Sequence, residues 1–235
     1  MEPAIPPSPA PKATTTTESG RAARVRALVT AGPTEEPLDD VRFIGNRSSG
    51  RMGIAIAEAL ADAGHSVVLA LGPVRREPPH DPRIALRRFR TSAELEALMR
   101  EELPGADLVV MAAAVADFRP KATIEGKLRR SDGGLQVDLV PVPDLLSATA
   151  ACRKPAATIV GFALEPRERL ESSALDKLVR KDLAAIVANP LETMDAPDVD
   201  AVVHFRDGTQ ARPSGRLAKE AFARWLVAAL ADRIG

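Results

Sequence analysis

The sequence predicts an α/β fold, a three-layer sandwich built on a mostly parallel sheet. From Val25 onward, strand-like apolar runs alternate with helix-like segments, an alternation that is typical of parallel sheets. The run 107–112 is almost entirely apolar, which indicates a strand covered on both faces. A loop rich in glycine and serine joins the first strand to the first helix, as expected at the ligand-binding edge of such a sheet.

Composition limits the class of protein further. The chain of 235 residues is 45% hydrophobic, enough for a substantial core, and its 32 Lys and Arg balance its 32 Asp and Glu. A net charge of zero predicts no nucleic-acid or membrane partner, so any anion site must be local. The single cysteine, Cys152, cannot form an internal disulfide, and the N-terminus lacks the pattern of a signal peptide. We therefore expect a cytoplasmic protein.

The first 22 residues predict a disordered tail. They contain a proline-rich run followed by the threonine tract 14–17, and they offer few apolar side chains. Residues 23–235 are then expected to form a single domain.

The first half of this domain predicts four strands and two helices. The strands are expected at Val25–Thr30, Ser66–Leu71, Ile84–Phe89 and Asp107–Ala112. The first helix is predicted at Gly53–Ala63 and ends at Gly64, a residue common just after a helix. The second helix follows the capping box Thr91-Ser-Ala-Glu94.

The second half predicts two more buried strands, three helices and two β-hairpins. The buried strands are expected at Ala157–Gly161 and Ala184–Ala188, and the helices at Pro143–Ala151, Arg167–Lys181 and Ser214–Arg233. Asp-Gly turns indicate the hairpins, whose strands are expected at Lys127–Arg130 and Leu135–Leu139, and at Ala201–Phe205 and Gln210–Arg212. In the last helix the apolar stripe is predicted to be Leu217, Ala221, Trp225 and Ala228.

The loop after the first strand predicts an anion site, usually one for phosphate. It comprises Thr30-Ala-Gly-Pro-Thr34 and Val41-Arg-Phe-Ile-Gly-Asn-Arg-Ser-Ser-Gly-Arg-Met-Gly53. Its glycines allow backbone N–H groups to approach a ligand closely, and its serines add hydroxyl donors. A plain strand–helix turn would need only one glycine.

Two familiar nucleotide motifs do not fit this loop. The spacing of Gly45 and Gly50 matches a P-loop, but Arg51-Met52 stands where that motif requires Lys followed by Ser or Thr. The segment 49–54 also looks like the dinucleotide loop of a short-chain NAD(P) oxidoreductase. That interpretation lacks the acidic residue expected about 20 residues later for the ribose. The chain also contains no tyrosine for the Tyr-x-x-x-Lys pair of such enzymes.

Four segments together resemble phosphopantothenoylcysteine synthetase, also called phosphopantothenate–cysteine ligase. The first is the loop described above. The others are Ala112-Ala-Ala-Val-Ala-Asp-Phe-Arg-Pro120, Gly126-Lys-Leu-Arg-Arg130, and Ile159-Val-Gly-Phe-Ala163 with Lys177-Leu-Val-Arg-Lys181 and Ile186-Val-Ala-Asn189. The resemblance implies a Rossmann-like sandwich with hairpins for dimerisation or as a lid. In many bacteria this domain follows a flavin-containing decarboxylase. Here we expect a stand-alone ligase domain, with a decarboxylase as a separate partner.

The resemblance implies a ligase that joins 4′-phosphopantothenate to L-cysteine in coenzyme A biosynthesis. In this family the carboxylate attacks the α-phosphate of a nucleoside triphosphate, pyrophosphate leaves, and cysteine attacks the acyl-nucleotide. Mg²⁺ is then the cofactor and CTP or ATP the cosubstrate, with CTP favoured because the segment around Lys127 looks bacterial. The family also implies a homodimer. A non-catalytic nucleotide-binding module of the same fold remains the alternative.

The resemblance also implies a set of site residues. Asn46 and Lys127 are expected to be catalytic, the first holding the carboxylate and the second neutralising the triphosphate. The nucleotide-binding positions are Gly32, Ser48, Gly50, Gly53, Asp117, Lys127, Phe162, Lys177, Lys181 and Asn189. The substrate-binding positions are Asn46, Ala113, Ala114 and Asp117, and no residue is assigned as a metal ligand. Lys177 and Lys181 are predicted to share a helix face, where an anionic ligand would relieve their repulsion.

Three segments depart from the family pattern. Val142-Pro-Asp-Leu145 lacks the asparagine of Asn-Pro-Asp-Ile, and Gly161-Phe-Ala-Leu-Glu-Pro166 replaces Gly-Phe-Ala-Ala-Glu-Thr. Arg129 and Arg130 replace two lysines, and a planar guanidinium differs from an ammonium point charge. These departures bear on the base preference and on turnover.

Overall fold

The computed structural model describes residues 24–129, 135–194 and 196–234. The predicted disordered tail lies outside these ranges, and so does the turn of the first predicted hairpin. The described residues form fourteen strands, five α-helices and four short 3₁₀ turns. No helix within these ranges is long and apolar enough to cross a membrane.

The strands are β1 (Arg26–Ala31), β2 (Glu35–Pro37), β3 (Phe43–Gly45), β4 (Ser66–Leu71), β5 (Ile84–Arg88), β6 (Leu108–Met111), β7 (Phe118–Pro120), β8 (Leu139–Pro141), β9 (Thr158–Glu165), β10 (Ala185–Pro190), β11 (Asp198–Val199), β12 (Val202–Phe205), β13 (Gln210–Ala211) and β14 (Leu217–Ala218). The helices are α1 (Arg51–Asp62), α2 (Ser92–Glu102), α3 (Leu145–Ala148), α4 (Arg167–Arg180) and α5 (Lys219–Leu230).

Eight of the described strands form one central sheet, in the order β13-β12-β10-β9-β6-β1-β4-β5. The six strands from β10 to β5 run parallel. At one edge β12 pairs antiparallel with β10, and β13 pairs antiparallel with β12. The pairs β2–β3, β7–β8 and β11–β14 are separate antiparallel ribbons. This mostly parallel sheet confirms the predicted fold class.

Helices cover both faces of the central sheet. On one face α1 packs on β1 and α5 packs beside α1; Ala27 and Val29 of β1 belong to this layer of the core, and Phe222 is fully buried in it. On the other face α2 lies against β4 and α4 packs on β9 and β10; Leu28 of β1 belongs to this layer, and Leu95 is fully buried in it. Because successive strand residues point to opposite faces, β1 serves both layers of the core.

Helices α1 and α2 begin in different ways. Helix α2 has the predicted capping box, in which Thr91 Oγ1 accepts the N–H of Glu94 at 3.2 Å. Helix α1 begins after Gly50, which has a left-handed backbone with φ of 68°, and no described side chain caps it. The first N–H groups of α1 therefore lack a side-chain acceptor.

The first predicted hairpin is wrong in its strand pairing. Residues 127–129 and 135–138 contain no strand, and Leu139 begins β8, which pairs with β7 instead. The Asp-Gly signal indicated a turn, but the true partner of β8 lies before the predicted hairpin. The second hairpin is confirmed, since β12 and β13 pair across Asp207-Gly208 and extend the central sheet.

The last helix is shorter than predicted, and its buried face is different. Helix α5 begins at Lys219, because residues 217–218 form β14. Its buried apolar residues are Phe222, Ala223, Leu226, Val227 and Leu230. The predicted stripe is wrong, since Ala228 is exposed and Trp225 only half-buried. Alanines occur around most of this helix, so the sequence pattern did not fix which face is buried.

Candidate functional site

The site lies at the carboxyl edge of β1 and β6, where the order of the strands reverses. From β1 the sheet continues to β4 and β5 on one side and to β6, β9 and β10 on the other. Ligands bind at such a reversal in open parallel sheets, because the loops on either side diverge and leave a crevice. Residues 32–50 follow β1, and residues 112–117 follow β6.

Two fully buried threonines join these loops. Thr30 Oγ1 accepts the N–H of Ala113 at 3.1 Å, and Thr34 Oγ1 accepts the N–H of Ala116 at 3.0 Å. The N–H of Thr34 donates in turn to the carbonyl of Ala114 at 3.2 Å. The two alanines predicted to contact substrate are therefore positioned by the end of the sheet.

Two adjoining cavities open at this edge. The larger has a volume of about 630 Å³, and the smaller about 200 Å³. Predicted site residues that line only the larger are Asn46, Asp117, Lys177 and Lys181. Those that line only the smaller are Ser48, Gly50, Gly53 and Asn189, and those that line both are Ala113, Ala114 and Phe162. The fold thus brings together every predicted site residue except Gly32 and Lys127.

The smaller cavity is built around the N-terminus of α1. The N–H of Gly50 donates to Ser48 Oγ at 3.3 Å, which closes the turn into the helix. The uncapped N–H groups and the positive end of the helix dipole favour an anion here. Of the described residues that line this cavity, the charged ones are Arg47, Arg51 and Lys219, all cationic. The cavity therefore suits a phosphate group.

Two glycines allow the close packing behind this loop. A Cβ on Gly53 would lie 2.5 Å from the Cβ of Ala31 and 2.9 Å from the carbonyl oxygen of Thr30, so α1 could not rest on β1. A Cβ on Gly32, where φ is +81°, would lie 3.2 Å from the backbone N of Gly72. Gly32 lines neither cavity, and its observed role is to pack the loop against the chain after β4.

Asn46 follows β3 and lies in the lining of the larger cavity. Its Nδ2 donates to the carbonyl of Val115 at 2.9 Å, which ties the loop after β1 to the loop after β6. The β2–β3 ribbon that carries Asn46 is itself anchored by Glu36, a buried carboxylate that accepts the N–H of Ser92 at 2.8 Å. One amide hydrogen of Asn46 is thereby used to fix its position.

Lys177 and Lys181 reach the larger cavity, but each has a carboxylate partner. Lys177 Nζ lies 2.7 Å from Glu165 Oε1, and Lys181 Nζ lies 2.7 Å from Asp144 Oδ2. The hydrogen bond from Lys177 lowers the pKa of Glu165. Burial alone would raise the pKa of Asp144, but hydrogen bonds from Lys181 and the Ser147 N–H lower it overall. The protein's own carboxylates thus offset the repulsion that a ligand was expected to relieve.

Lys127 lies outside both cavities. It is exposed, and it belongs to residues 121–129, here called the arm, which contain no helix or strand. The arm rests against the loop after β2. On one side of Lys127 the N–H of Gly126 donates to Asp40 Oδ2, and on the other the N–H of Leu128 donates to Asp39 Oδ2, each at 3.0 Å. The structure therefore fixes the backbone around Lys127 but does not bring the ammonium to the site.

Asp39 is the anchor of the arm. Its side chain is buried, which would raise its pKa, but the N–H groups of Val41, Leu128 and Arg42 together with the Arg42 guanidinium lower the pKa to about 2. The Arg42 guanidinium also donates to the carbonyl of Leu128 at 3.2 Å. A permanently ionised carboxylate thus holds the arm at neutral pH.

Residues that depart from the family pattern line the cavities or belong to the arm. Val142 lines the larger cavity, and Leu164 lines both cavities. Arg129 belongs to the arm, whereas Arg130 lies outside the described residues. Asn189 Oδ1 is buried in the lining of the smaller cavity and accepts no hydrogen bond from the described residues, so a polar group there remains available for a partner.

The structure adds residues that the sequence did not indicate. Lys219 lines the smaller cavity and Arg180 the larger. Lys219 comes from the last helix and reaches the site only because α5 packs beside α1. No local motif marks it, so only the three-dimensional fold could have revealed it.

The fold and the site define an α/β protein that offers an anion-binding helix N-terminus beside a second, larger cavity. Residues 22–234 match the family described as the DNA/pantothenate metabolism flavoprotein C-terminal domain. The chain belongs to this family.

Known relatives agree with this assignment. The chain is 35% identical over 196 residues to the coenzyme A biosynthesis bifunctional protein CoaBC of Vibrio cholerae, covering 80% of this chain and 48% of that protein. It is 42% identical over 167 residues to a protein named cysteine/cysteine sulfinic acid decarboxylase from an unknown prokaryotic organism, covering 71% and 46%. The chain therefore spans about half the length of the curated relatives it matches.

The fold is also similar to a solved structure of one part of such a protein. The crystal structure of the C-terminal domain of the coenzyme A biosynthesis bifunctional protein CoaBC superposes with a TM-score of 0.76 at 29% identity. The similarity covers 91% of this chain and 98% of that chain.

Proposed function

We propose that this protein is a phosphopantothenate–cysteine ligase, which joins the carboxylate of 4′-phosphopantothenate to the amine of L-cysteine. The observation that carries the proposal is the pair of adjoining cavities. One is built around a helix N-terminus and suits phosphate, the other is lined by Asn46, and they meet along Ala113 and Ala114. Membership of the family and the similarity to the C-terminal domain of CoaBC support it.

The reaction must activate a carboxylate, which is a poor electrophile at neutral pH. A carboxylate oxygen attacks the α-phosphorus of the triphosphate, the bond from that phosphorus to the β-phosphate oxygen breaks, and pyrophosphate leaves. The cysteine amine then attacks the acyl carbon, loses a proton, and displaces the nucleoside monophosphate. Two anions must be held together for the first step, so fixed donors and cations supply most of the catalysis.

The residues divide between the two cavities. The Asn46 amide can hold the carboxylate and then the acyl phosphate without changing its protonation. Ser48, Gly50 and the first turn of α1 cradle the triphosphate, while Phe162 and Asn189 lie on the base and ribose side. Lys177 and Lys181 line the larger cavity as ion pairs with Glu165 and Asp144, and they are assigned to the part of the nucleotide that extends into it. Ala113 and Ala114 line the path of the pantothenate.

Lys127 has a different part in the proposal. It neutralises the triphosphate during activation, for which the arm must bring its ammonium to the cavities. Gly32 supports the loop from behind and contacts no ligand directly.

Mg²⁺ fits the site as an ion held mainly by phosphate. It is usually bound through one or two carboxylates together with substrate phosphates. Of the carboxylates that line the larger cavity, Asp144 is paired with Lys181, whereas Asp117 has no ion pair with any described residue. Asp117 would therefore hold the ion together with the substrate phosphates, and the bound ion would supply positive charge for the pyrophosphate leaving group.

The proposal includes a homodimer formed through the ribbons beside the central sheet. Large apolar side chains are exposed on and next to the β2–β3 and β7–β8 ribbons, at Val41, Phe43, Phe118, Ile124, Leu135 and Leu139. An exposed apolar patch of this kind marks a surface for a partner. We expect a second copy of the chain to cover it.

CTP is the proposed nucleotide, because the similarity is to a bacterial protein and bacterial members of this family use CTP. A decarboxylase would act on the product. The free Cys152 is consistent with the proposed cytoplasmic location. The name of one relative refers to a decarboxylase, but the chain spans only 46% of that protein, and decarboxylation is not part of the proposal.

Pyrophosphate release tests this function directly. The protein is mixed with CTP or ATP, phosphopantothenate, cysteine and Mg²⁺, and each component is omitted in turn. We expect release with CTP that depends on phosphopantothenate, and phosphopantothenoylcysteine detected by mass spectrometry. If neither nucleotide gives pyrophosphate although CTP binds by calorimetry, the protein is a non-catalytic nucleotide-binding module.

A further inference from the structure

A further cavity, here called the edge cleft, lies where α4 faces the antiparallel edge of the central sheet. Its volume is about 200 Å³. One wall is the start of α4, with Leu170 and Glu171, and the other is formed by β12 and β13, with His204 and Gln210. No described residue lines both this cleft and either cavity of the proposed ligase site. A ligand in the edge cleft would therefore be separate from the substrates of the ligase.

The imidazole of His204 is buried in this cleft without a hydrogen-bonding partner. His204 is only 8% exposed, and its ring makes no hydrogen bond with any described residue. It lies on β12 directly opposite Gln210 of β13, and residues paired across antiparallel strands have their side chains on the same face. Buried polar side chains are normally hydrogen-bonded, so the ring of His204 has a donor and an acceptor available to a ligand.

The edge cleft also has two opposite charges that are not paired within the described part of the chain. Glu171 and Arg212 line the cleft, and neither forms an ion pair with a described residue, nor do they pair with each other. The third charged residue of the lining, Arg167, is already paired with Asp200, with Nη2 and Oδ2 3.0 Å apart. A carboxylate is therefore favoured beside Arg212 and an ammonium beside Glu171.

The remaining residues of the lining are apolar. They are Leu170 of α4 and the paired residues Ala188 and Val202 of β10 and β12. Inorganic phosphate would gain nothing from this apolar surface and would be repelled by Glu171. The volume is also below the range of about 300–1,000 Å³ that is usual for drug-sized ligands, which makes a nucleotide a poor fit. The lining thus suits a small molecule with a carboxylate, an ammonium and a short apolar group.

We propose that the edge cleft binds a small free α-amino acid. Its carboxylate accepts hydrogen bonds from the Arg212 guanidinium and the His204 imidazole, and its ammonium donates to Glu171. Its side chain contacts Leu170 and Val202. Each polar contact then involves a charged group, which makes the hydrogen bonds stronger than neutral ones. The proposal does not depend on the ligase activity, because the two sites share no described residue.

The three histidines of the chain allow the cleft to be observed by proton NMR. L-valine is titrated into the full chain at fixed pH, and His204→Gln identifies the ring signal of His204. We expect the C2 proton of His204 to shift with saturation, whereas those of His65 and His80, which lie outside the cleft, stay in place. Isovalerate lacks the ammonium and L-valinamide lacks the carboxylate, so each should bind about tenfold more weakly than L-valine.

Two exposed positions of the cleft provide independent variants. Arg212→Gln should weaken L-valine about tenfold, and Glu171→Gln should remove the preference for L-valine over isovalerate. Glu168→Gln on the same helix and Arg216→Gln just beyond β13 are the matched controls, since both residues are exposed and lie outside the cleft. Their affinity for L-valine should not change. Calorimetry on these four variants makes the same comparison if His204→Gln does not fold.

Three outcomes would overturn the proposal. The first is a His204 signal that does not move or that moves without saturation. The second is unchanged affinity for L-valine in both Arg212→Gln and Glu171→Gln. The third is isovalerate binding as tightly as L-valine, because the cleft would then be a carboxylate site and not an amino-acid site. None of these results bears on the ligase, which pyrophosphate release tests separately.

Discussion

The loop after β1, residues 32–50, and the arm differ in how the fold holds them. Both carry residues that are expected to act on one triphosphate. The loop is built into the sandwich, since Gly53 packs directly on β1 and Asn46 is tied to Val115. The arm lies outside the central sheet and is anchored by Asp39 and Asp40. A preorganised loop can bind triphosphate as it stands, whereas activation by Lys127 requires the arm to move. Binding and activation should therefore be separable by mutation.

The largest expected effect is that of Lys127→Gln. Removing the ammonium should lower the rate of pyrophosphate release about 100-fold, or ~2.7 kcal/mol, because a charge that stabilises the transition state is lost. CTP affinity and melting temperature should not change, since the side chain is exposed and lines neither cavity. Lys121→Gln, at the start of the same arm, is the matched control. Normal pyrophosphate release by Lys127→Gln would show that Lys127 does not neutralise the triphosphate during activation.

Asn46→Asp should have the next largest effect, and on a later step. A carboxylate cannot donate to the carbonyl of Val115 and repels the acyl phosphate, while the phosphate contacts of the smaller cavity remain. The acyl-nucleotide should therefore form and accumulate, and its coupling to cysteine should slow about 30-fold, or ~2 kcal/mol. Chemical quench with chromatography measures the intermediate. Coupling at the normal rate would refute this role of Asn46.

Asp39→Asn should give a smaller effect that is confined to the arm. The amide keeps the size of the side chain but weakens the bonds that hold Leu128 and Arg42. Because activation requires the arm to leave this anchor, pyrophosphate release should rise about fivefold, or ~1 kcal/mol, and CTP affinity should be unchanged. Limited proteolysis should cut the arm faster in the variant. Slower pyrophosphate release would contradict the required movement of the arm, and a comparable change in CTP affinity would show that the loop and the arm are not independent.

The stability that Asp39 contributes should depend on pH with a definite sign. Its pKa is about 2 in the folded protein, below the ordinary value of 3.8. A lowered pKa stabilises the fold above the unfolded-state pKa, and this contribution is lost as the pH falls from about 4 to about 2. Urea denaturation should show the difference between the unmutated protein and Asp39→Asn shrinking over that range. If the difference in the free energy of unfolding stayed constant over this pH range, it would contradict an ionised Asp39 as the anchor of the arm.

The sequence predicted best those features that local pattern determines. The capping box at Thr91, the apolar strands and the glycine loop each depend on residues close together in the chain. Because the ends of neighbouring parallel strands meet at one edge, Asn46 and Ala113 could be expected in one site.

Features that depend on distant parts of the chain were not predictable in this way. Strand β8 pairs with β7 rather than with its nearest apolar segment, and this choice depends on how the ribbons pack. Glu165 and Asp144 meet the lysines of α4 only in the folded chain. Lys219 enters the cavity through helix packing, so no spacing rule reveals it.

The path of one oxygen atom tests the proposed activation most directly. Phosphopantothenate with both carboxylate oxygens replaced by oxygen-18 is incubated with CTP, cysteine and the protein, and the CMP formed is examined by mass spectrometry. Attack of the carboxylate on the α-phosphorus predicts CMP that carries one labelled oxygen, because that oxygen leaves with the nucleotide. Unlabelled CMP, or labelled inorganic phosphate accompanied by CDP, would contradict activation through an acyl-nucleotide.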